Sequence, residues 1–453
     1  MHSLFRISLS ASLLIGALVA TSFATTGGDA KQGTRNYDDY ESPKVCLQCH
    51  DLIYGQWDQA MMSKSFTHKW DEVEYFDLAV EHGKAVPKFS PVADGCNGCH
   101  APLAWMAGDI PTKRPGLSRA DESVSCDICH TITGFEGEIP VNFNWVSDPG
   151  KLKRGPRQPG DAVPSPHHEM TYSEFIHQPE FCGTCHNEQD PWGVFVKSTY
   201  SEWKAGPYSE EGVRCHDCHM TYAPAKSAKM GNAHNDMRLH LFHGAHDPGK
   251  VNGVVELRIQ PDIRDAEPGD PVKFTLALFN QKTGHKFPTG SVEDRIVWVD
   301  VVAKDAQGNE YHLAVDPKGF DGEEWTIGSD DLAYQDMAVP LNKPDFKGVR
   351  RDGIVPVGDR IFRMPYLDEQ GRMTIMQWNT AKLGPDYRLG PRETKLETYT
   401  FEIPNNAAPG PMTVTATMYY SKLVSTVADL LGVPEEAEPY TVNSHSTSIN
   451  VLD

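Results

Sequence analysis

Cys46-Leu47-Gln48-Cys49-His50, Cys96-Asn97-Gly98-Cys99-His100, Cys126-Asp127-Ile128-Cys129-His130, Cys182-Gly183-Thr184-Cys185-His186 and Cys215-His216-Asp217-Cys218-His219 are five copies of C-x-x-C-H. This spacing attaches c-type haem. Two thiols add across the vinyl groups of one porphyrin edge, and the next residue turns its imidazole onto the iron. The five motifs use all 10 cysteines of the chain. Zinc ribbons pair one C-x-x-C with another, so an odd number leaves one unmatched, and zinc gives no reason for a histidine after every second cysteine. With 19 His in 453 residues, five such histidines arise by chance on the order of once in ten million. A disulfide framework fits less well, because rings closed across two residues are tight and staple nothing over long range. The expectation is five covalent haems with proximal ligands His50, His100, His130, His186 and His219.

The haem segment runs from Glu41 to about Pro248. Five porphyrins in so short a stretch must supply much of its core, with short helices and loops wrapped around them. Helical pieces are expected at Leu52 to Lys64 and at Tyr172 to His177. Motif starts are separated by 50, 30, 56 and 33 residues (96−46, 126−96, 182−126, 215−182), alternating long and short. This predicts two haem pairs, second with third and fourth with fifth, beside a lone first haem.

Before this segment, Met1 to Arg6 is short and basic and Ile7 to Phe23 is apolar, which reads as a secretory signal peptide over residues 1–24. The other reading is a membrane anchor, since the run sits at the lower limit of a spanning helix. Residues 25–40 read as a polar linker. Export agrees with the motifs, because cytochrome c assembly occurs outside the bacterial cytoplasm, so a periplasmic or extracellular protein is expected. The net charge of −20 argues against nucleic acid and anionic lipid and favours partners with basic docking patches.

From residue 249 to 453 cysteine is absent and apolar residues alternate. Val255, Leu257 and Ile259, then Val272, Phe274 and Leu276, then Val297, Val299 and Val301 follow period two, as half-buried strands do. Tyr399 to Ile403 and Val414 to Met418 continue the pattern, and Asp305 to Asn309 reads as a hairpin turn. The fold class expected is multidomain: a mainly α and irregular pentahaem domain followed by an all-β immunoglobulin-like sandwich. Residues 316–395, rich in Gly, Pro and Asp, read as an irregular insertion over the haems, and Leu423 to Leu431 as a short amphipathic helix.

Trp57 after the first motif, Glu211-Gly212-Val213-Arg214 before the fifth and Met220 after it resemble the multihaem cytochromes of the cytochrome c554 type, a superfamily that includes pentahaem nitrite reductases and hydroxylamine oxidoreductases. The resemblance covers about residues 41–248. It implies haems held by two histidines each and electrons passed along stacked pairs. The family often shows Trp-x-x-Ser-x-His after the first motif, whereas Ala60 and Met62 stand here. The first haem therefore takes Met62, His68 or a distant ligand. Distal candidates are His68, His168, His177, His240 and His246 within the haem segment. A sixth is His285, in the loop Gly284-His285-Lys286-Phe287-Pro288-Thr289-Gly290 at the end of a strand.

Two functional classes remain open. One is a carrier or conduit with saturated irons between a redox donor and an acceptor, extending to a homo-oligomer or haem filament. The other is an oxidoreductase with one open haem acting on a small nitrogen or sulfur oxyanion. The nitrite reductases of the superfamily usually carry lysine at the catalytic haem, and every motif here ends in histidine, so transfer is preferred. Mass spectrometry of the mature protein is expected to show a start near Thr25, five covalent haems and no alkylatable thiol; four haems or one reactive cysteine would contradict the motif reading.

Overall fold

The computed structural model describes residues 32–161, 163–319, 323–324 and 354–453. The expected signal peptide and much of the expected insertion lie outside these residues. No helix among the described residues is long and apolar enough to cross a membrane.

As far as about residue 250, the chain folds into short helices joined by loops and two-stranded ribbons. Proline sets many helix starts: Pro43, Pro102, Pro179, Pro207 and Pro248 each open a helix of four to six residues, where a missing N–H costs nothing. The eleven-residue helix Ser90–His100 carries the second motif at its end. Asp51–Asp58 is helical and Met61–Lys64 forms a 3-10 turn, close to the expected piece. The expected helix at Tyr172 to His177 is instead a strand end, Glu169–Tyr172, and a 3-10 turn, Phe175–His177. The backbone there pairs in parallel with Leu152–Gly155, and that pairing outweighs local propensity. The expected linker also differs. Tyr40 is buried, its hydroxyl donates to Ser147 Oγ at 3.1 Å, and Gly33 N–H donates to Trp105 O at 3.2 Å.

Beyond it, among the described residues, two main sheets are built from nine strands: β1 (Val255–Pro261), β2 (Asp265–Ala266), β3 (Pro271–Asn280), β4 (Ile296–Lys304), β5 (Glu310–His312), β6 (Arg360–Phe362), β7 (Thr394–Glu402), β8 (Gly410–Ser421) and β9 (Tyr440–Val451). One sheet has the order β1-β3-β7. The other has the order β2-β9-β8-β4-β5, with β6 also paired to β4. The alternation along β1 and β3 turns Leu257, Ile259, Phe274 and Leu276 onto the inner face, where they meet Val299, Val301, Val414 and Ala416 of the facing sheet in one apolar core. The turn at Asp305 closes as expected, with Gly308 at φ 89° and Asp305 N–H on Asn309 O at 3.0 Å. A helix forms at Ser425–Leu431 and ends on left-handed Gly432.

The outer face of the larger sheet packs on the first half of the chain. Trp298, Ile361, Leu423 and Val427 share a second apolar cluster with Trp70, Val73 and Leu78. The described part of the expected insertion joins this seam, where Trp378 Nε1 donates to His82 Nδ1 at 2.9 Å.

Across the inner core, Arg360 Nε donates to Glu397 Oε1 at 2.7 Å, both side chains fully buried, and so ties one sheet to the other. Removing one member of such a pair leaves an uncompensated buried charge. Glu397→Ala is expected to cost about 3–5 kcal/mol, read as a lower denaturant midpoint at unchanged m-value.

Candidate haem-binding site

Each motif sits where a helix begins or ends. Cys126 opens the helix Cys126–Thr131, Cys215 opens Cys215–His219, and His100 closes Ser90–His100. One helical turn brings the two thiols of a motif to one side and sends the histidine to the next position round.

The glycines inside two motifs have a packing reason. A Cβ on Gly98 would lie 2.3 Å from the Phe143 ring, and one on Gly183 would lie 2.7 Å from Tyr200 and 2.8 Å from Pro140. Phe143 also donates its N–H to Thr184 O at 2.7 Å. Pressed on Gly98 and bonded to Thr184, it clamps the second motif to the fourth. Cysteine side chains follow the same geometry: Cys99 lies within interaction range of Cys185, Cys46 of Cys126, and Cys182 of Cys215. Cys129 is within electrostatic reach of Cys182 and Cys185. The fourth motif is thus the hub, next to the second, third and fifth, and the first adjoins the third. The fourth and fifth are neighbours as expected. The second adjoins the fourth rather than the third, because Phe143 bridges them across a chain separation that motif spacing does not report.

All eight cysteines of motifs two to five line one continuous cavity of about 1810 Å³. A single small-ligand site occupies about 300–1,000 Å³, so this volume suits several large planar groups. The first motif lies outside that lining, and Cys49 is the one exposed cysteine.

Three motif histidines face a second imidazole. His50 and His168 have ring centroids 6.2 Å apart at 24°, His130 and His240 6.4 Å apart at 22°, and His219 and His285 6.5 Å apart at 15°. Two metal–nitrogen bonds of about 2 Å, plus about 1 Å from each nitrogen to its ring centre, span about 6 Å, so each gap takes one metal ion. In all six the Nδ1 is turned to a main-chain carbonyl. The acceptors are Ser227 O for His50 at 2.6 Å, Arg154 O for His130 at 2.6 Å and His243 O for His219 at 2.8 Å. Glu169 O at 3.2 Å, Arg238 O at 3.1 Å and Lys286 O at 2.8 Å serve His168, His240 and His285. An Nδ1–H bonded this way leaves the Nε2 lone pair for a metal. Burial holds His219 and His240 down at about 4, helped by the facing His285 and His130 respectively. They are neutral, as ligands must be.

His100 carries the same arrangement, its Nδ1 2.8 Å from Ser65 O and 3.2 Å from Asp71 Oδ1. Among the described residues neither His100 nor His186 faces an imidazole at the one-metal spacing. Of the remaining candidates, His68 has Nε2 3.0 Å from Glu436 and Nδ1 3.4 Å from Asp71. Against the lowering effect of burial, those carboxylates lift His68 to about 9. His246 meets His68 edge-on, and His177 Nε2 lies 3.3 Å from Pro156 O. Both line the cavity, and neither is stacked on a motif histidine.

The loop bearing His285 is held by residues that sequence reading missed. Buried Glu202 takes Lys286 N–H at 3.2 Å and Thr289 Oγ1 at 2.7 Å, and pairs with buried Arg388 at 2.6 Å. Only the i,i+3 style of local spacing is visible in a sequence; these partners lie 84 to 186 positions apart.

Fold and motifs together resemble those of multihaem c-type cytochromes. The family described as "Cytochrome c554 and c-prime" matches residues 45–131, which hold the first three motifs. The crystal structure of a penta-heme cytochrome c552 from Thermochromatium tepidum is similar at a TM-score of 0.61 and 20% identity, covering 92% of this chain and 100% of that one. These matches relate the chain to the multihaem c-type cytochromes and support haem c on its motifs. An alkylpurine DNA glycosylase from Pseudomonas fluorescens is similar at a TM-score of 0.17 and 8% identity, over 46% of this chain and 32% of that one. A sporulation control protein from Bacillus subtilis gives 0.18 and 12%, over 44% and 50%; neither carries an argument. No curated protein matches.

Gly98→Ala forces the Phe143 ring out of its contact with Trp105, centroids 5.2 Å apart. Overpacking of this kind costs about 1–3 kcal/mol. A lower melting temperature and a reduced Soret-to-protein absorbance ratio are expected.

Proposed function

We propose that this chain is an exported pentahaem cytochrome that passes electrons between a redox donor and an acceptor. The observation that carries the reading is the set of three near-parallel imidazole pairs, His50 with His168, His130 with His240 and His219 with His285. Two neutral imidazoles on one iron leave no position for substrate, which suits transfer rather than catalysis. Bound haem supplies a one-electron iron couple.

The chain's own residues do the remaining work. Cys46 and Cys49, Cys96 and Cys99, Cys126 and Cys129, Cys182 and Cys185, and Cys215 and Cys218 tether five groups. Their mutual contacts, running through the fourth motif, keep neighbouring groups close enough for rapid exchange. Main-chain carbonyls fix the imidazoles, so little rearranges on reduction.

In this reading residues 1–24 direct export to the periplasm or beyond, residues 41–248 form the haem domain, and residues 249–453 form an immunoglobulin-like domain. The strand order β1-β3-β7 facing β9-β8-β4-β5 supports the last assignment, since it corresponds to A-B-E against G-F-C-C′ of that fold. His285 makes the second domain part of the first one's metal site. Assembly into an oligomer or filament is a further extension of the carrier reading.

A second reading applies to the groups on His100 and His186, which face no partner imidazole among the described residues: one of these irons stays open and reduces a small nitrogen or sulfur oxyanion. Low-temperature EPR of the oxidised protein decides between the two. Five low-spin signals are expected for a carrier, and a high-spin signal would mark an open site. His285→Ala is expected to convert one low-spin signal to high spin and raise that haem's potential, leaving four signals unchanged. An unaltered spectrum would remove His285 from the ligand set.

A further inference from the structure

Where the larger sheet meets the haem cavity, three carboxyl side chains lie within electrostatic reach of one another. Glu74 begins the segment Glu74–Ala79 and lines the cavity that His100 also lines. Glu293 and Asp294, just before β4, are fully buried. Both Asp294 carboxylate oxygens and Glu74 Oε1 are buried without a hydrogen-bond partner. The charged groups that face these carboxyls are Lys197, Arg295 and Arg363, with His100 and Asp71 on the cavity side.

The cations are largely committed elsewhere. Lys197 Nζ donates to Glu188 Oε2 at 2.8 Å and also to Gln377 Oε1. Arg295 Nη1 donates to Lys422 O at 2.8 Å, its guanidinium lying 5.0 Å from the Trp70 ring centre. Arg363 donates to Glu293 O. A buried carboxylate without its own partner neutralises rather than staying charged. Burial lifts Glu74 to about 7 and Glu293 to about 8, and it carries Asp294 well above its usual range, with Glu293 and Glu74 adding to the rise. A porphyrin in the cavity removes more water from Glu74 and strengthens the same effect.

We propose that Glu74, Glu293 and Asp294 form a proton-binding site that loads one proton when the adjacent haem, on Cys96, Cys99 and His100, gains an electron, and unloads it on oxidation. The inference rests on the electron-transfer reading. The balance is simple. One electron from a one-electron donor protein converts Fe(III) to Fe(II), one proton from water converts a carboxylate to a carboxylic acid, and the net charge of the seam is unchanged. A polar row runs from the surface to the main chain beside Asp294. The partly exposed Glu188 pairs with Lys197, Lys197 bonds Gln377, Gln377 Nε2 donates to Ser291 Oγ at 3.3 Å, and Asp294 N–H donates to Ser291 O at 3.3 Å. The site therefore couples electron movement to proton movement and spares the low-dielectric seam an uncompensated charge.

The sign of the effect is fixed. A reduced iron raises proton affinity nearby, so rising pH favours the oxidised form and lowers the potential. Spectroelectrochemical titration of the holoprotein from about pH 6 to pH 9 is expected to show one haem whose potential falls with pH. One proton per electron corresponds to a tenfold proton change converted at about 59 mV for n = 1. In Asp294→Asn and, separately, in Glu74→Gln, that haem's slope is expected to fall at least twofold while the others keep theirs. Reduced-minus-oxidised infrared difference spectra are expected to show a gained protonated-carboxyl band that the Asp294→Asn protein lacks. Should Asp294→Asn fail to fold, Glu74→Gln carries both measurements. A pH-independent set of potentials overturns the proposal. So does a slope unchanged in the variants, which assigns the proton to the porphyrin's own carboxylates. Loss of reversible haem reduction altogether would count against the electron-transfer reading instead.

Discussion

An imidazole whose Nδ1–H is tied to a main-chain carbonyl can present its Nε2 in only one direction, and the first half of this protein is arranged around that constraint. His50 reaches Ser227 O across 177 positions, whereas His130 reaches Arg154 O across 24. Each such bond pins a loop to a motif, so the loops that look irregular are placed by the histidines they orient. Short proline-started helices suit this scheme, since a long helix would carry a motif away from its carbonyl.

The same constraint explains why the β half is built onto the haem half. The cavity of about 1810 Å³ replaces the apolar core that a segment of this length would otherwise need. Its wall is completed by Trp70 and Trp378 of the seam cluster and by the loop of His285, which Glu202 and Arg388 hold in place. Apolar burial joins the halves without direction, and the His285 loop supplies the direction. At the same seam stand the buried carboxyls of Glu293 and Asp294.

Much of this was legible beforehand. C-x-x-C-H is a covalent requirement with fixed spacing, so the cysteines and motif histidines could be read as a haem set directly, and the period-two alternation located β1, β3, β4, β7 and β8. His168, His240 and His285 were among six distal candidates, and each faces a motif histidine at the spacing of one metal ion. His68 was a candidate of equal standing, and nothing local distinguishes it. Its imidazole is held between Asp71, three positions on, and Glu436, 368 positions away. The helix expected at Tyr172 to His177 gave way to pairing with Leu152–Gly155 for a similar reason.

By itself the sequence determined which atoms can bond to haem, how many motifs there are and where strands alternate, because covalent spacing and side-chain period are properties of neighbours along the chain. The tertiary structure alone decided which imidazole faces which, that the second motif adjoins the fourth through Phe143, and that Glu74 meets Asp294 at a buried seam. Those outcomes depend on distances between residues far apart in sequence, and on the loss of water when they meet, which changes the charge a histidine or a carboxyl can hold.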